Sequence, residues 1–189
     1  MKTLPAYTYV GPEEIRRAVA SHPAGTPLSS REVLEDWLRA HPEAREEGAT
    51  YTVELQGWMR LAPRRSEHVA CAGGEEVLAA GEIRFEGTGS HLGVAEVSNQ
   101  STGYCPDTTC WAAVVGALER AGVVPPPGFT HAVVFRRCPR CGERNLVKED
   151  WFVCVFCDAE LPAEWNVAPR REVPVEEGAA PVPRHDRHR

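Results

Sequence analysis

The sequence predicts an α+β fold, with a mainly antiparallel sheet, flanking helices and a metal-stapled C-terminal unit. Three observations predict it. Apolar residues recur at helical spacing in the first third of the chain, the apolar period shortens to two from Thr50, and two C-x-x-C pairs lie near the C-terminus. With 189 residues, there is enough chain for one good core and a small satellite.

The helices come first. Pro12, Glu13 and Glu14 open a short helix carrying Ile15 and Val19, with proline in its first turn and acids at its positive end. Ser29 and Glu32 have capping-box spacing, and Val33, Leu34, Trp37 and Leu38 form the apolar stripe that follows. His41-Pro42 ends this second helix, because the residue before proline is driven out of the helical region.

Tyr51, Val53 and Leu55 then alternate, Gln56-Gly57 offers a turn, and residues 58–61 return as the second strand of a hairpin. Residues 76–85 and 94–97 read as further strands, separated by the glycine-rich loop 87–90. No helix and no Lys-Ser/Thr follow these glycines, so the loop is a turn and not a phosphate cradle. After a polar segment, residues 111–121 form an amphipathic helix, with Thr108 or Thr109 as its cap and Gly122 as its stop. Pro125, Pro126, Pro127 and Gly128 bend the chain, and residues 130–135 form a strand running into the first C-x-x-C pair. From about Ala168 proline, glycine and charge rise without an apolar period. The resulting organisation is an α+β domain over 1–130, a metal-binding unit over 131–165 and a disordered tail over 166–189.

Charge and cysteine usage limit the function classes. A formal net charge of -6 argues against life on nucleic-acid phosphates and leaves only a local basic patch open. No stretch approaches the roughly 20 apolar residues a membrane span needs, so no membrane partner is expected. The first seven residues lack an apolar signal core, and the seven cysteines are expected to be reduced thiols and metal ligands in the cytoplasm.

Cys138, Cys141, Cys154 and Cys157 form two C-x-x-C pairs separated by a strand-like loop, the pattern of a tetrahedral four-thiolate site. Thiolates are soft ligands that suit zinc, and a two-residue spacer lets one turn present both sulfurs to one ion. Gly142 can adopt the positive φ that turns backbone N–H groups toward sulfur, and Asp158 stands at the same place in the second turn. Arg136, Arg137, Arg140 and Arg144 are candidates to offset the cluster's negative charge, with nucleic-acid contact as their alternative role. Residues 135–162 resemble the zinc-ribbon superfamily. That resemblance implies one structural Zn2+ and no particular activity; redox use of the cysteines and iron in place of zinc are the competing readings.

A second likeness lies upstream. Ala72-Gly73-Gly74, Ala80-Gly81-Glu82, Ser98-Asn99-Gln100-Ser101, Tyr104 and Pro106 follow an A-G-G…A-G-E…S-N-x-S…Y-x-P pattern. This stretch, Cys71 to Asp107, resembles a segment of some bacterial effector-like proteins and of plant calmodulin-binding proteins of the IQ-motif class. Thr102-Gly103 stands where that pattern has Gly-His, so its histidine is missing here. The likeness implies a strand–loop–strand–loop–helix core and carries no assigned chemistry.

His68, Glu82, Asn99, Ser101, Tyr104 and Cys105 are the catalytic candidates of this region. Glu82 interrupts an apolar strand, and the others supply imidazole, amide, hydroxyl and thiol groups; the competing reading is that the loop groups fix their own loop and cap the following helix, with Arg64 or Arg65 pairing Glu82. His68, Cys71, Cys105 and Cys110 could hold a second metal or pair a thiol with an imidazole, or the cysteines could be buried packing residues. The zinc-deaminase signature fails, since no glutamate follows two residues after His68 and Cys105-Pro106 is in reversed order.

The leading expectation is therefore a zinc-binding protein that serves as a binding or adaptor module for another protein. An enzyme or group transferase with its site between His68 and Cys110 is the alternative, and nucleic-acid binding through the arginines the second. Convergence discriminates: an enzyme needs those side chains in one cleft.

Overall fold

The computed structural model describes residues 2–175 and is α+β, as the periodicities predict. The chain begins with a strand the sequence did not announce, β1 (Lys2–Ala6). Helix α1 (Glu13–Ala18) follows Pro12, with Glu13 and Glu14 in its first turn and Arg16 and Arg17 in its last, so both ends complement the helix dipole. The two-residue strand β2 (Thr26–Pro27) precedes α2 (Arg31–Ala40). Ser30, not Ser29, caps α2: its extended backbone lets its oxygen accept the Val33 N–H at 3.3 Å. Leu34, Trp37 and Leu38 point into the core, and His41 ends the helix before Pro42. A further single turn, α3 (Ala44–Glu47), stops at Gly48, where φ is 81°.

The central sheet is built from β3 (Ala49–Glu54), β4 (Met59–Pro63), β5 (Val77–Glu86) and β6 (Gly93–Val97), with β2 on one edge. The short helix α4 (His68–Cys71) links β4 to β5. The strand order is β2-β4-β3-β5-β6 and all neighbours are antiparallel. In register, Tyr51 faces Leu61 and Gly81, while Thr52 faces Arg60 and Ala80. Alternation therefore sends Tyr51 and Val53 to one face and Thr50 and Thr52 to the other. Both faces are covered, and every residue of β3 is buried.

Helix α5 (Trp111–Arg120) packs on β3, β4 and β5 through Ala113, Val114, Ala117 and Leu118. Burying each of the larger of these contributes about 2 kcal/mol. The expected threonine cap is replaced by Asp107, whose carboxylate accepts the Thr108 N–H at 2.8 Å and the Thr109 hydroxyl at 3.1 Å. It caps a 3-10 turn, Thr108–Cys110, that leads into α5. On the opposite face α4 lies against β3 and β4, and Thr52 donates to the Cys71 sulfur at 3.5 Å.

The strand expected over 130–135 starts later, as β7 (Val134–Arg137). Thr130 and His131 instead cap the open edge of β6, where both N–H groups donate to the Val97 carbonyl. Strand β7 pairs with β8 (Arg144–Val147). The chain then returns to the main core through Trp165, which donates to the Cys105 carbonyl at 2.8 Å and meets the Tyr7 ring edge-on at 5.3 Å.

One expectation is corrected here. Part of the stretch read as disordered from residue 166 forms β9 (Arg171–Val175), antiparallel to β1, with Val173 opposite Leu4. Val173 and Val175 alternate and are buried, and Pro174 is tolerated because β9 is an edge strand. Two alternating valines were too short a signal to stand out against the proline and charge around them. The expected disorder of residues 176–189, with His185 and His188, lies outside the described residues. Among the described residues no helix is long and apolar enough to cross a membrane.

Candidate metal centre

The β7–β8 hairpin carries the first cysteine pair at its tip, and the chain after β8 brings up the second. The two turns are built alike. The Cys138 N–H donates to the Glu143 carbonyl at 2.8 Å and the Gly142 N–H to the Cys138 carbonyl at 2.9 Å. In the second turn the Cys154 N–H donates to Ala159 at 2.8 Å and the Asp158 N–H to Cys154 at 3.0 Å. Gly142 has φ 78° and Asp158 φ 58°, so both positions take the left-handed backbone their residue types allow.

These turns bring four sulfurs together. The ligand atoms of Cys138, Cys141, Cys154 and Cys157 all lie within 4.8 Å of one another. Cys138 to Cys157 and Cys141 to Cys154 are each 3.6 Å apart. A tetrahedral ion with sulfur at about 2.3 Å needs sulfurs about 3.8 Å apart, so the donor set fits such an ion in both chemistry and spacing.

The electrostatics ask for a cation. The Cys141 N–H, acting against burial, holds the Cys138 thiol below its ordinary value. Burial pushes Cys154 up, but the Phe156 N–H and the Asn145 amide outweigh it and bring the thiol down to about 6. Cys141 rises to about 12 although the Glu143 N–H pulls the other way, because burial and the neighbouring thiols oppose another negative charge. Cys157 also rises, against the pull of the Ala159 N–H, through burial and Cys138. Two thiols are thus held below their ordinary value and two above it, and a cation among them would favour the thiolate form of all four.

Asn145 is a contributor that sequence reasoning missed. Buried on β8, its amide donates to the Cys154 sulfur at 3.5 Å and its oxygen accepts the Val155 N–H at 3.0 Å. The available signal was a buried-type position held by a polar residue between the two cysteine pairs. The arginines behave differently from the simple charge-offset expectation. Arg137 and Arg140 donate to the Gly142 and Cys157 carbonyls, inside the two turns. Arg136 ties β7 to the Pro162 and Ala163 carbonyls, and Arg144 reaches the Val10 and Thr102 carbonyls of the main domain. All four guanidinium groups are therefore engaged with backbone.

Each of the upstream candidates is bonded to a group of its own fold. His68 faces the Gly81 carbonyl at 2.9 Å, and burial lowers its pKa. Asn99 is fully buried; its amide donates to the Pro106 and Val133 carbonyls at 3.0 and 2.8 Å, and its oxygen accepts the Val133 N–H at 2.7 Å. Ser101 accepts the Tyr104 N–H at 3.3 Å, and the Tyr104 hydroxyl donates to the Glu75 carbonyl at 2.7 Å. Cys105, with φ 45°, donates to the Thr102 carbonyl at 3.4 Å. Glu82 pairs with Arg64 at 2.5 Å.

The remaining cysteines do not form a second centre. The only His, Cys, Asp or Glu group close enough to hold a metal among the described residues is the four-cysteine one. Burial raises Cys71 and Cys105 to about 11 and pushes Cys110 higher still, the opposite of what a thiolate nucleophile needs.

The A-G-E and S-N residues instead have an architectural explanation. A Cβ on Gly81 would stand 2.0 Å from the Ser98 carbonyl oxygen, so only glycine lets the loop after β6 lie against β5. Asn99 then clamps that loop to Val133, immediately before β7. No protein-family model, no curated protein and no solved structure matches this chain.

Proposed function

We propose that this protein is a cytoplasmic zinc-binding interaction module: one structural Zn2+, held by Cys138, Cys141, Cys154 and Cys157, braces a zinc ribbon that docks another protein. Four thiols around one position suit zinc and iron alike; zinc is preferred because it predominates at structural four-cysteine sites and is redox-inert there. Seven free thiols suit a reducing compartment.

One observation carries the interaction role. Of the five large apolar side chains exposed among the described residues, four lie between positions 146 and 156: Leu146, Trp151, Val155 and Phe156. Trp151 is 71% exposed, Val155 74% and Phe156 63%. Aromatic residues held outward by a rigid turn are the usual anchors of a protein interface.

Two measurements on the purified chain test this. Metal analysis should return one zinc per chain; iron, or a stoichiometry well below one, would refute the zinc assignment. Affinity capture from source cells should recover a protein with the wild type and lose it with the W151S/F156S double variant at unchanged zinc content. Equal recovery by both would end the docking role.

A further inference from the structure

Away from the cysteines, the sheet face carrying Glu82 forms the floor of a cleft of about 380 Å³. The residues around it are mostly polar. Arg64 reaches in after β4, Glu82 and Arg84 come from β5, Ser98 and Gln100 from the turn after β6, and His131 from the segment capping that edge. Arg84 pairs with Glu96 across the β5–β6 register, at 3.1 Å.

The Arg64–Glu82 pair is unlike the buried Arg60–Glu54 pair elsewhere in the sheet. Arg60 and Glu54 are almost wholly covered, and Arg60 also donates to the Gly25 carbonyl, which completes a structural clamp. Arg64 and Glu82 retain 39% and 26% of their side-chain exposure at the cleft. One guanidinium nitrogen and one carboxylate oxygen take part in their contact. The remaining N–H donors of Arg64 and the second oxygen of Glu82 are left for a ligand.

We infer that this cleft binds a free α-amino acid through its ammonium and carboxylate groups. Three features select that chemistry. A ligand with a single charge must compete with one member of the existing pair for the other. A zwitterion instead adds its carboxylate to Arg64 and its ammonium to Glu82 and leaves the pair intact. In an α-amino acid the ammonium and the carboxylate are both attached to one carbon, so the two charges lie side by side, which matches an ion pair already in contact at 2.5 Å. The second pair, Arg84–Glu96, balances its own charge, and Glu47 adds a single negative charge at the rim, so the cleft's field disfavours a strongly anionic ligand such as a phosphate. Gln100 lines the same cleft and can hydrogen-bond either end of the ligand. Binding here is independent of the cysteine unit.

The test uses the full-length zinc-loaded protein, labelled with nitrogen-15 and titrated with the common amino acids one at a time. Acetate and methylammonium at equal concentration serve as single-charge controls. At least one amino acid should produce saturable shifts of the Glu82, Ser98 and Gln100 amides, and neither control should. E82Q and R64Q should each weaken that binding about tenfold or more, while distant amides stay in place. The inference is overturned if no amino acid gives saturable shifts, if acetate or methylammonium alone reproduces them, or if both variants bind as the wild type does.

Discussion

Around β3 all six residues are buried, and Tyr51 and Leu61 belong to one continuous core with Val114 and Leu118 of α5, which packs on β3 and β4. In the cysteine unit Cys138, Cys154 and Leu161 form one small buried cluster, edged by Val147, Phe152 and Ala159, and Phe135 is buried in a second with Cys105, Val133 and Val167. The main domain thus offsets its chain entropy with apolar area. The cysteine unit has too little to do so, since burying four such side chains contributes only about 8 kcal/mol and each ordered residue costs about 1–2. What it has instead is four sulfurs arranged for one ion, so two neighbouring parts of one chain depend on different forces.

Removing the zinc proposed for the four cysteines tests this contrast most severely. Structural zinc in small finger-like units supplies roughly 10–16 kcal/mol of apparent binding energy, which is also their folding energy. A strong chelator should therefore collapse the amide dispersion of residues 134–161 while the amides of β3 and α5 keep theirs. If the dispersion of the cysteine unit survives chelation, the contrast is broken and its small core suffices. If β3 loses its dispersion as well, the two parts fold as one.

Asn99 is where the two parts are joined. Its side chain satisfies the Pro106 carbonyl and both backbone groups of Val133, next to β7, in a site with no water access. Asn99→Ala leaves three buried polar groups without partners, and a loss of about 3 kcal/mol or more is expected. Chemical denaturation of the zinc-loaded protein measures it, and hydrogen exchange at Val133 should accelerate in step. An unchanged midpoint with unchanged Val133 exchange would show that the join is made elsewhere, for example at Trp165.

Much of this could be read from the residues alone, and the exceptions share a cause. The ligand set was legible because metal binding demands fixed residue types at fixed short spacings. Helices α2 and α5 and strands β3 to β6 were legible because a periodic apolar pattern persists over several residues. Strand β1 and β9 were not: each is five residues long, contains a proline, and is specified by a partner some 170 positions away. The upstream residues were legible as a polar group but not in their role. Asn99, Ser101 and Tyr104 carry the functional groups of a catalytic site, but these groups are turned onto backbone carbonyls and N–H groups of their own fold. Residue type alone does not reveal whether a polar group faces a ligand or a neighbouring strand.

The smallest expected effect compares the two cysteine turns with each other. They share one hydrogen-bond pattern and one left-handed position, filled by Gly142 in the first and Asp158 in the second. Gly142→Ala places a Cβ on a backbone with φ 78°, which costs about 1 kcal/mol and should weaken zinc retention about fivefold in competition with a chromophoric chelator. Asp158→Gly removes a comparable but smaller strain, since aspartate tolerates this region better than alanine does. Against that gain, the added glycine has more freedom to lose when the turn forms, about 0.5–1 kcal/mol. Removing a carboxylate beside a cluster of thiolates also favours metal binding slightly. Zinc retention in D158G should therefore stay within about twofold of the wild type. A large loss in D158G would show that the Asp158 side chain does more than tolerate its backbone, and the likeness of the two turns would end at the main chain.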